Sequence, residues 1–322
     1  TSNPINNATI EILVGVETTT SDLLGDYAMA ILTAGTYNMA FSAPGYTSDT
    51  LSAVLSNGVL TVLDAQLVAP VPFVVTGQVV EANGGNPIAN ADVLITNNNF
   101  QYPLTSDGGG NFSISTFFEG TFDVIGGKWL YKTNCGTLFI DSNTGPIIIP
   151  LDSGLYDDFS FDFGWGVSGN ASSGTWERGE PVGTNYAGVG DANPEVDVSF
   201  DCYDQAYITG NGGGSAGNDD VDNGNAIVKS PLFDITTYSE PYVKYHRWFF
   251  NDGGSGTPND TLTVSISNGT VSVVLEEVTE SSSGNSSWVS RSYKISDYIA
   301  ATSLMQLTFE TADFAGSGHL VE

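Results

Sequence analysis

Three short motifs occur twice in this chain, in the same order and at nearly the same spacing. Asn3-Pro4-Ile5-Asn6-Asn7-Ala8 returns as Asn86-Pro87-Ile88-Ala89-Asn90-Ala91. Thr20-Ser21-Asp22 returns as Thr105-Ser106-Asp107, and Gly35-Thr36-Tyr37-Asn38 as Gly120-Thr121-Phe122-Asp123. The offsets are 83, 85 and 85 residues. Ordered matches at a near-constant offset mean that one structural unit is built twice, which constrains the first half of the chain more than any composition can.

Each copy has the signature of antiparallel β structure. Ile10, Ile12 and Val14 alternate with Thr9, Glu11 and Leu13, and Tyr37, Met39 and Phe41 alternate in the same way. Period-two runs broken by Gly, Asn, Pro and Asp predict short, half-buried strands. Stretches such as Ser106-Asp107-Gly108-Gly109-Gly110-Asn111 are turn chemistry, because Gly and Asn tolerate positive φ. With these motifs in place, both copies resemble carboxypeptidase regulatory-like (transthyretin-like) domains, which are non-catalytic β-sandwiches of secreted proteins. Ala43-Pro44-Gly45-Tyr46 fits that resemblance; the second copy departs from it at Gly126-Gly127-Lys128-Trp129. The second copy also carries a strand-like run, Phe73–Val80, ahead of its Asn-Pro-Ile motif, where the first has only Thr1 and Ser2. The first sandwich is therefore expected to begin one strand late, with the gap filled by preceding sequence or by another chain through strand addition.

Beyond about Asp157 the repeat stops while strand patterns continue: Leu262, Val264 and Ile266; Val271, Val273 and Leu275; Met305, Leu307 and Phe309. Segments with helical period and caps are essentially absent, which suits a larger sandwich. Asp157-Asp158-Phe159, Gly164-Trp165, Gly174–Pro181, Ala206–Asn211, Asn218–Gly224, Ser230–Asp234, Arg247-Trp248-Phe249 and Gly318–Glu322 follow one another. In that order they resemble the jelly-roll module on secreted bacterial zinc carboxypeptidases and on surface proteins exported by type IX secretion. The resemblance implies a closing strand after Val321-Glu322, so this domain is expected to end one strand early. The fold expected is all-β: sandwiches at 1–70 and 71–155, then a jelly-roll-like sandwich at 156–322.

Charge limits the partners. With 8 Lys+Arg against 37 Asp+Glu the net charge is −29. Such a chain has few cations to offer phosphates, which excludes nucleic acid and docking on an anionic membrane leaflet. No apolar run reaches the roughly 18 residues of a transmembrane helix. Two cysteines, Cys135 and Cys202, do not make a disulfide framework. They fall in different domains by these boundaries, and two free buried thiols are expected over a bridge between domains.

Catalytic motifs are poor. Zinc-carboxypeptidase chemistry needs two His and a Glu, yet the only histidines are His246 and His319, in unrelated contexts. Gly213-Gly214-Ser215-Ala216-Gly217 matches the serine-hydrolase elbow, and Gly212, Gly214 and Gly217 the dinucleotide fingerprint. Neither has the strand–turn–helix setting its chemistry needs. Asn218, Asp219, Asp220, Asp222 and Asn223 crowd hard oxygen atoms into one loop, the chemistry of Ca²⁺. We expect a structural Ca²⁺ there, with Asp157, Asp158 and Glu322 as weaker candidates and a solvated acidic turn as the alternative. Trp165, Trp176, Trp248 and Trp288 suit either a glycan-binding face or core packing, the latter being commoner. Arg247 is expected to pair with a carboxylate. Thr50 and Thr261, in Asp-Thr-Leu, match a bacterial O-glycosylation pattern, and Asn-x-Ser/Thr occurs at Asn7, Asn111, Asn170, Asn259, Asn268 and Asn285.

Together these features predict a non-catalytic extracellular or cell-surface protein with a structural or adhesive role. Its expected partners are copies of itself or neighbouring domains of a longer chain, joined into a fibre by strand addition, and glycans. The alternatives are accessory domains of a secreted zinc metallocarboxypeptidase, or a carbohydrate-binding module.

Overall fold

The computed structural model describes residues 3–13, 17–186, 190–253, 260–313 and 320–321. Among them the regular structure is all β-strand apart from one 3-10 turn, Ile295–Asp297. The protein is an all-β chain of tandem β-sandwich domains, as its period-two patterning predicts. It divides into two compact units. One is Thr1–Val75 with Ser113–Thr121 and Phe139–Gly145; the other is Thr76–Phe112 with Phe122–Leu138 and Pro146–Glu322. The division runs through the second repeat copy.

The first copy forms β1 (Thr9–Ile12), β2 (Thr18–Thr20), β3 (Gly35–Ser42) and β4 (Asp49–Leu55), in the sheet order β2-β1-β3-β4. Ile10 and Ile12 are buried while Thr9 and Glu11 are exposed, the outcome of a two-residue side-chain period. Opposite them on β3 lie Phe41 and Met39, and this face is the core of the unit. Val14 lies outside the described residues.

The second copy forms β5 (Phe73–Glu81), β6 (Asp92–Thr96), β7 (Gln101–Thr105), β8 (Asn111–Phe117), β9 (Gly120–Gly127), β10 (Asn134–Ile140) and β11 (Ile147–Leu151). Its sheet β10-β9-β6-β7 has the same order as β4-β3-β1-β2, strand for strand. The register repeats as well: Ile10↔Phe41 and Ile12↔Met39 become Val93↔Gly126 and Ile95↔Val124. The change of offset from 83 to 85 falls in the first hairpin, where Glu11 pairs Thr18 but Leu94 pairs Pro103.

The shared motif residues are braces. Buried Ser21 donates its hydroxyl to the Ile5 carbonyl (2.6 Å) and accepts from the Ala8 amide (2.9 Å). Buried Ser106 does the same with Ile88 (2.7 Å) and Ala91 (2.9 Å). Asp22 accepts from the amides of Leu24 and Asp26, and Asp107 from those of Gly109 and Asn111. Asn7 (φ 57°) and Asn90 (φ 53°) both take the left-handed conformation that Asn tolerates.

A second layer completes the second copy, in the order β11-β5-β8 with β5 at its centre. β5 runs parallel to β11, with Gly77 opposite Ile147. A Cβ at Gly77 would stand 2.1 Å from the Phe112 ring and 2.5 Å from the Ile147 carbonyl, so this mid-strand position has room only for glycine.

The remaining strands are β12 (Gly166–Gly169), β13 (Trp176–Gly179), β14 (Thr184–Tyr186), β15 (Gly190–Asp191), β16 (Ala206–Thr209), β17 (Gly214–Ser215) and β18 (Gly224–Lys229). They continue with β19 (Tyr242–Arg247), β20 (Asn251–Asp252), β21 (Leu262–Ser267), β22 (Ser272–Val278), β23 (Val289–Lys294), β24 (Gln306–Asp313) and β25 (Leu320–Val321). The main sheet is β12-β18-β24-β21-β22. Ile266 and Leu275 from this sheet pack with Val243 of β19 and with Ile295 and Met305. β19 pairs with β23, and β13 with β16, so the Gly-Thr-Trp-Glu-Arg and Ala-Tyr-Ile-Thr landmarks lie side by side. Arg247 finds its carboxylate in Glu276 (3.0 Å), which Arg291 (2.6 Å) and the Tyr245 hydroxyl (2.8 Å) also reach. Burial pushes the Glu276 carboxyl upward, but these donors hold it below its ordinary range.

The cysteines overturn one expectation. Cys135 of β10 and Cys202 are joined in a disulfide with Cα atoms 5.6 Å apart. Reading them as buried free thiols failed because burial is not where they lie: Cys135 is exposed and Cys202 only half-buried. The loop this bond closes, with a sequence separation of 67, makes the cross-link valuable chiefly through the unfolded chain. Replacing both cysteines by serine is expected to lower unfolding free energy by about 2–4 kcal/mol. Urea unfolding of the double variant against the oxidised parent measures this, and coincident curves would refute it.

Candidate functional site

In the first unit the inner face of β2-β1-β3-β4 is covered by two extended segments. Tyr27, Met29 and Ile31 turn inward from one, and Leu63, Ala65 and Leu67 from the other; all pack on Ile10, Ile12, Met39, Phe41 and Ala53. Their neighbours Leu32, Leu60 and Val62 are exposed. With the repeat's offset of 85, these segments correspond to β8 and β11. β8 and β11 are each laddered to the central strand β5. The counterparts carry the same alternation but belong to no sheet among the described residues. One bond bridges them, from the Tyr27 hydroxyl to the Leu63 carbonyl (2.7 Å). Both segments therefore keep main-chain donors and acceptors that no sheet ladder takes up among the described residues.

The acidic loop is a hub of braces. Asp219 accepts from the amides of Gly212 (2.9 Å) and Gly213 (2.7 Å). Asp220 accepts from the Val321 amide (2.6 Å), and Asp222 from the Ser173 hydroxyl (2.9 Å). Asn218 donates to the Gly213 carbonyl (3.1 Å). The carboxylates thus reach three different segments. Asp158 stands apart from them, accepting from Thr133 (3.1 Å) and the Ser160 amide (3.2 Å). Among the described residues no three His, Cys, Asp or Glu side chains form a group able to hold a metal ion. Glu322 lies outside the described residues.

The tryptophans, by contrast, converge. All five of the chain's tryptophans line one cavity of about 510 Å³, including Trp129, contributed by the second repeat copy. Four have a visible indole role or contact: Trp165 donates to Asp157 (2.8 Å), Trp288 to the Val196 carbonyl (3.0 Å), Trp248 to the Ala192 carbonyl, and Trp129 packs on Phe163. The Trp176 indole nitrogen is buried without a partner. Asp157, Asp158, Asp197 and Asp201 are in the same wall. Burial, augmented by the charges of Asp201 and Asp204, pushes the Asp197 carboxyl up to about 7. Burial likewise raises Asp157 to about 6, and burial with the nearby Asp158 charge raises Asp201 to about 6. In sequence the tryptophan content hinted at this site and Asp157 and Asp158 stood out as weaker cation candidates, whereas Asp197 and Asp201 were indistinguishable from other surface acids.

Ser215 is exposed and donates to the adjoining Ala216 carbonyl (3.2 Å), with a turn and no helix after it, so its elbow motif has no catalytic setting. His246 packs edge-on against Phe200 at 4.8 Å. Thr50 is exposed on the edge strand β4, and Thr261 is half-buried just before β21. Asn259 and His319 lie outside the described residues.

Residues 1–68 match the family model of the carboxypeptidase regulatory-like domain. No curated protein matches the chain. Among solved structures it is similar to a streptococcal ancillary pilin, at 15% identity and TM-score 0.33, over 42% of this chain and 47% of the pilin. The chain thus spans about half of that pilin's length. It is also similar to a DUF3823 family protein from Bacteroides ovatus, at 7% identity and TM-score 0.23, over 78% of this chain and 97% of that one. A third is the Bacillus anthracis TIE protein, at 10% identity and TM-score 0.23, over 98% of this chain and 65% of that one.

Two outcomes test the geometry. Asp219→Ala leaves two loop amides without their acceptor and is expected to cost about 1.5–3 kcal/mol, the range for hydrogen bonds to a charged group. Urea unfolding with and without EDTA reads it: a parent midpoint that falls on EDTA would instead mark the loop as a cation site. Asp197 titrates near 7 when folded and about 3.9 when unfolded. The folded state holds the extra proton, so this contribution is full below about pH 4 and lost as pH rises through 7. Asp197→Asn is therefore expected to raise the thermal midpoint at pH 8 and leave it unchanged at pH 4; the reverse would refute the assignment.

Proposed function

We propose that this chain is a non-catalytic, extracellular structural or adhesive protein whose first sandwich accepts a β-strand from another chain. The observation that carries this reading is the pair of unladdered segments, 26–32 and 62–67, flanking the position that β5 fills in the second copy. Strand addition supplies affinity through main-chain hydrogen bonds and specificity through alternate side-chain pockets. An added strand would extend the apolar layer of Tyr27, Met29, Ile31, Leu63 and Leu67 that covers Ile10, Ile12, Met39 and Phe41. A head-to-tail contact of this kind propagates into a filament when it does not close. The Cys135–Cys202 disulfide supports an oxidising location outside the cytoplasm. The large negative charge keeps an extended surface protein solvated. In this reading residues 156–322 are a jelly-roll-like domain, Thr50 and Thr261 are glycan attachment points, and export follows the type IX route.

A second reading is favoured by the family match of residues 1–68: the chain is the accessory region of a secreted zinc carboxypeptidase. The two differ in what the acceptor interval meets. A synthetic peptide with the sequence Phe73–Glu81 is expected to bind the full chain and to slow hydrogen exchange at 26–32 and 62–67. A peptide with aspartate at the positions of Val75 and Val79, which face inward in β5, is expected not to bind. Equal binding of both peptides, or no added protection in those two segments, would sink strand acceptance.

A further inference from the structure

The tryptophan cavity has a charge pattern of its own, independent of strand acceptance. Asp157, Asp158, Asp197 and Asp201 lie in its wall, and Asp197 and Asp201 also line an adjoining hollow formed by residues 196–204. Asp158 is 4% exposed, and its Oδ2 atom has no hydrogen-bond partner. A buried carboxylate oxygen without a donor is costly, and the cost falls when a cation arrives.

The protein's own cations do not meet this need. Arg178 acts through its charge on Asp157, but its hydrogen bonds go to the Phe159 carbonyl and the Gln205 side chain. Arg247 lines the cavity but is held by Glu276. Lys244 and His246 also line it, and among the described residues no ion pair joins either to the four aspartates. An inorganic cation fits poorly, because it needs several oxygens converging at about 2.3–2.6 Å. Here no such group of acids exists among the described residues, and the space is far larger than an ion. Its volume falls in the range of about 300–1,000 Å³ typical of sites for small organic ligands. Five tryptophans in its wall supply the ring type that attracts organic cations most strongly.

We propose that this cavity binds an organic ammonium ion carrying an aromatic or aliphatic body, its charge met by Asp201 and by the field of the buried Asp158, and its body packed among the tryptophans. Such a group comes either from a free small amine or from a lysine side chain of a partner.

Because every tryptophan lies in this wall, intrinsic fluorescence of the full chain reports occupancy directly. Benzylammonium is expected to change it saturably, and neutral benzyl alcohol to bind at least tenfold more weakly. Capped Phe-Lys dipeptide amide tests the side-chain source: tighter binding than benzylammonium assigns the ligand to a partner protein, weaker binding to a free amine. Asp201→Asn, at a half-exposed position that leaves the fold intact by circular dichroism, is expected to weaken benzylammonium at least tenfold. Equal affinities for amine and alcohol, no saturable change with either cation, or full displacement by an equimolar calcium salt would each overturn the proposal.

Discussion

The central strand β5 is the constraint on which the paired sandwich architecture turns. A β-layer is stable when its backbone donors and acceptors are paired, and an inner strand pairs on both sides. In the second copy β5 provides that pairing for β8 and β11, so close to both that only glycine fits at position 77. In the first copy the same two flanking segments have folded onto the core with the right alternation but without the ladder. Side-chain burial places a strand, and backbone pairing joins it to a sheet; here the two are separated within one repeat.

Elsewhere the chain manages an excess of acid with few bases. Among the described residues three ion pairs involve Arg247, Arg291 and Lys294. Most other structural carboxylates take backbone amides as partners instead: Asp22 and Asp107 in the repeated turns, Asp219 and Asp220 in the acidic loop. An amide donor is neutral and present at every residue but proline, so it can stabilise a carboxylate where no lysine or arginine is near. The aspartates around the tryptophan cavity are the group this solution serves least well, which is why burial drives three of them upward in pKa.

The departure of the second copy from the first at Gly126–Trp129 has a packing reason. A Cβ at Gly127 would stand 2.8 Å from the Phe161 ring, and one at Gly126 2.6 Å from Ile149. The glycines let these side chains close on the end of β9, and Trp129 then joins the wall of the cavity. The disulfide lies in the same unit and ties β10 to the segment that carries Asp197 and Asp201.

The sequence by itself determined the repeat, the all-β class and the strand alternation, because each is written in residues close together along the chain. It also singled out Ser21, Asp22, Ser106 and Asp107, whose braces act over a single turn or arch. What it left open depends on long-range proximity. Whether Asp219, Asp220 and Asp222 converge or diverge, whether Cys135 meets Cys202, and whether five scattered tryptophans share one wall are questions of which strands become neighbours. Only the tertiary structure decided them, since a carboxylate, a thiol or an indole has the same spacing in the sequence whichever partner folding brings to it.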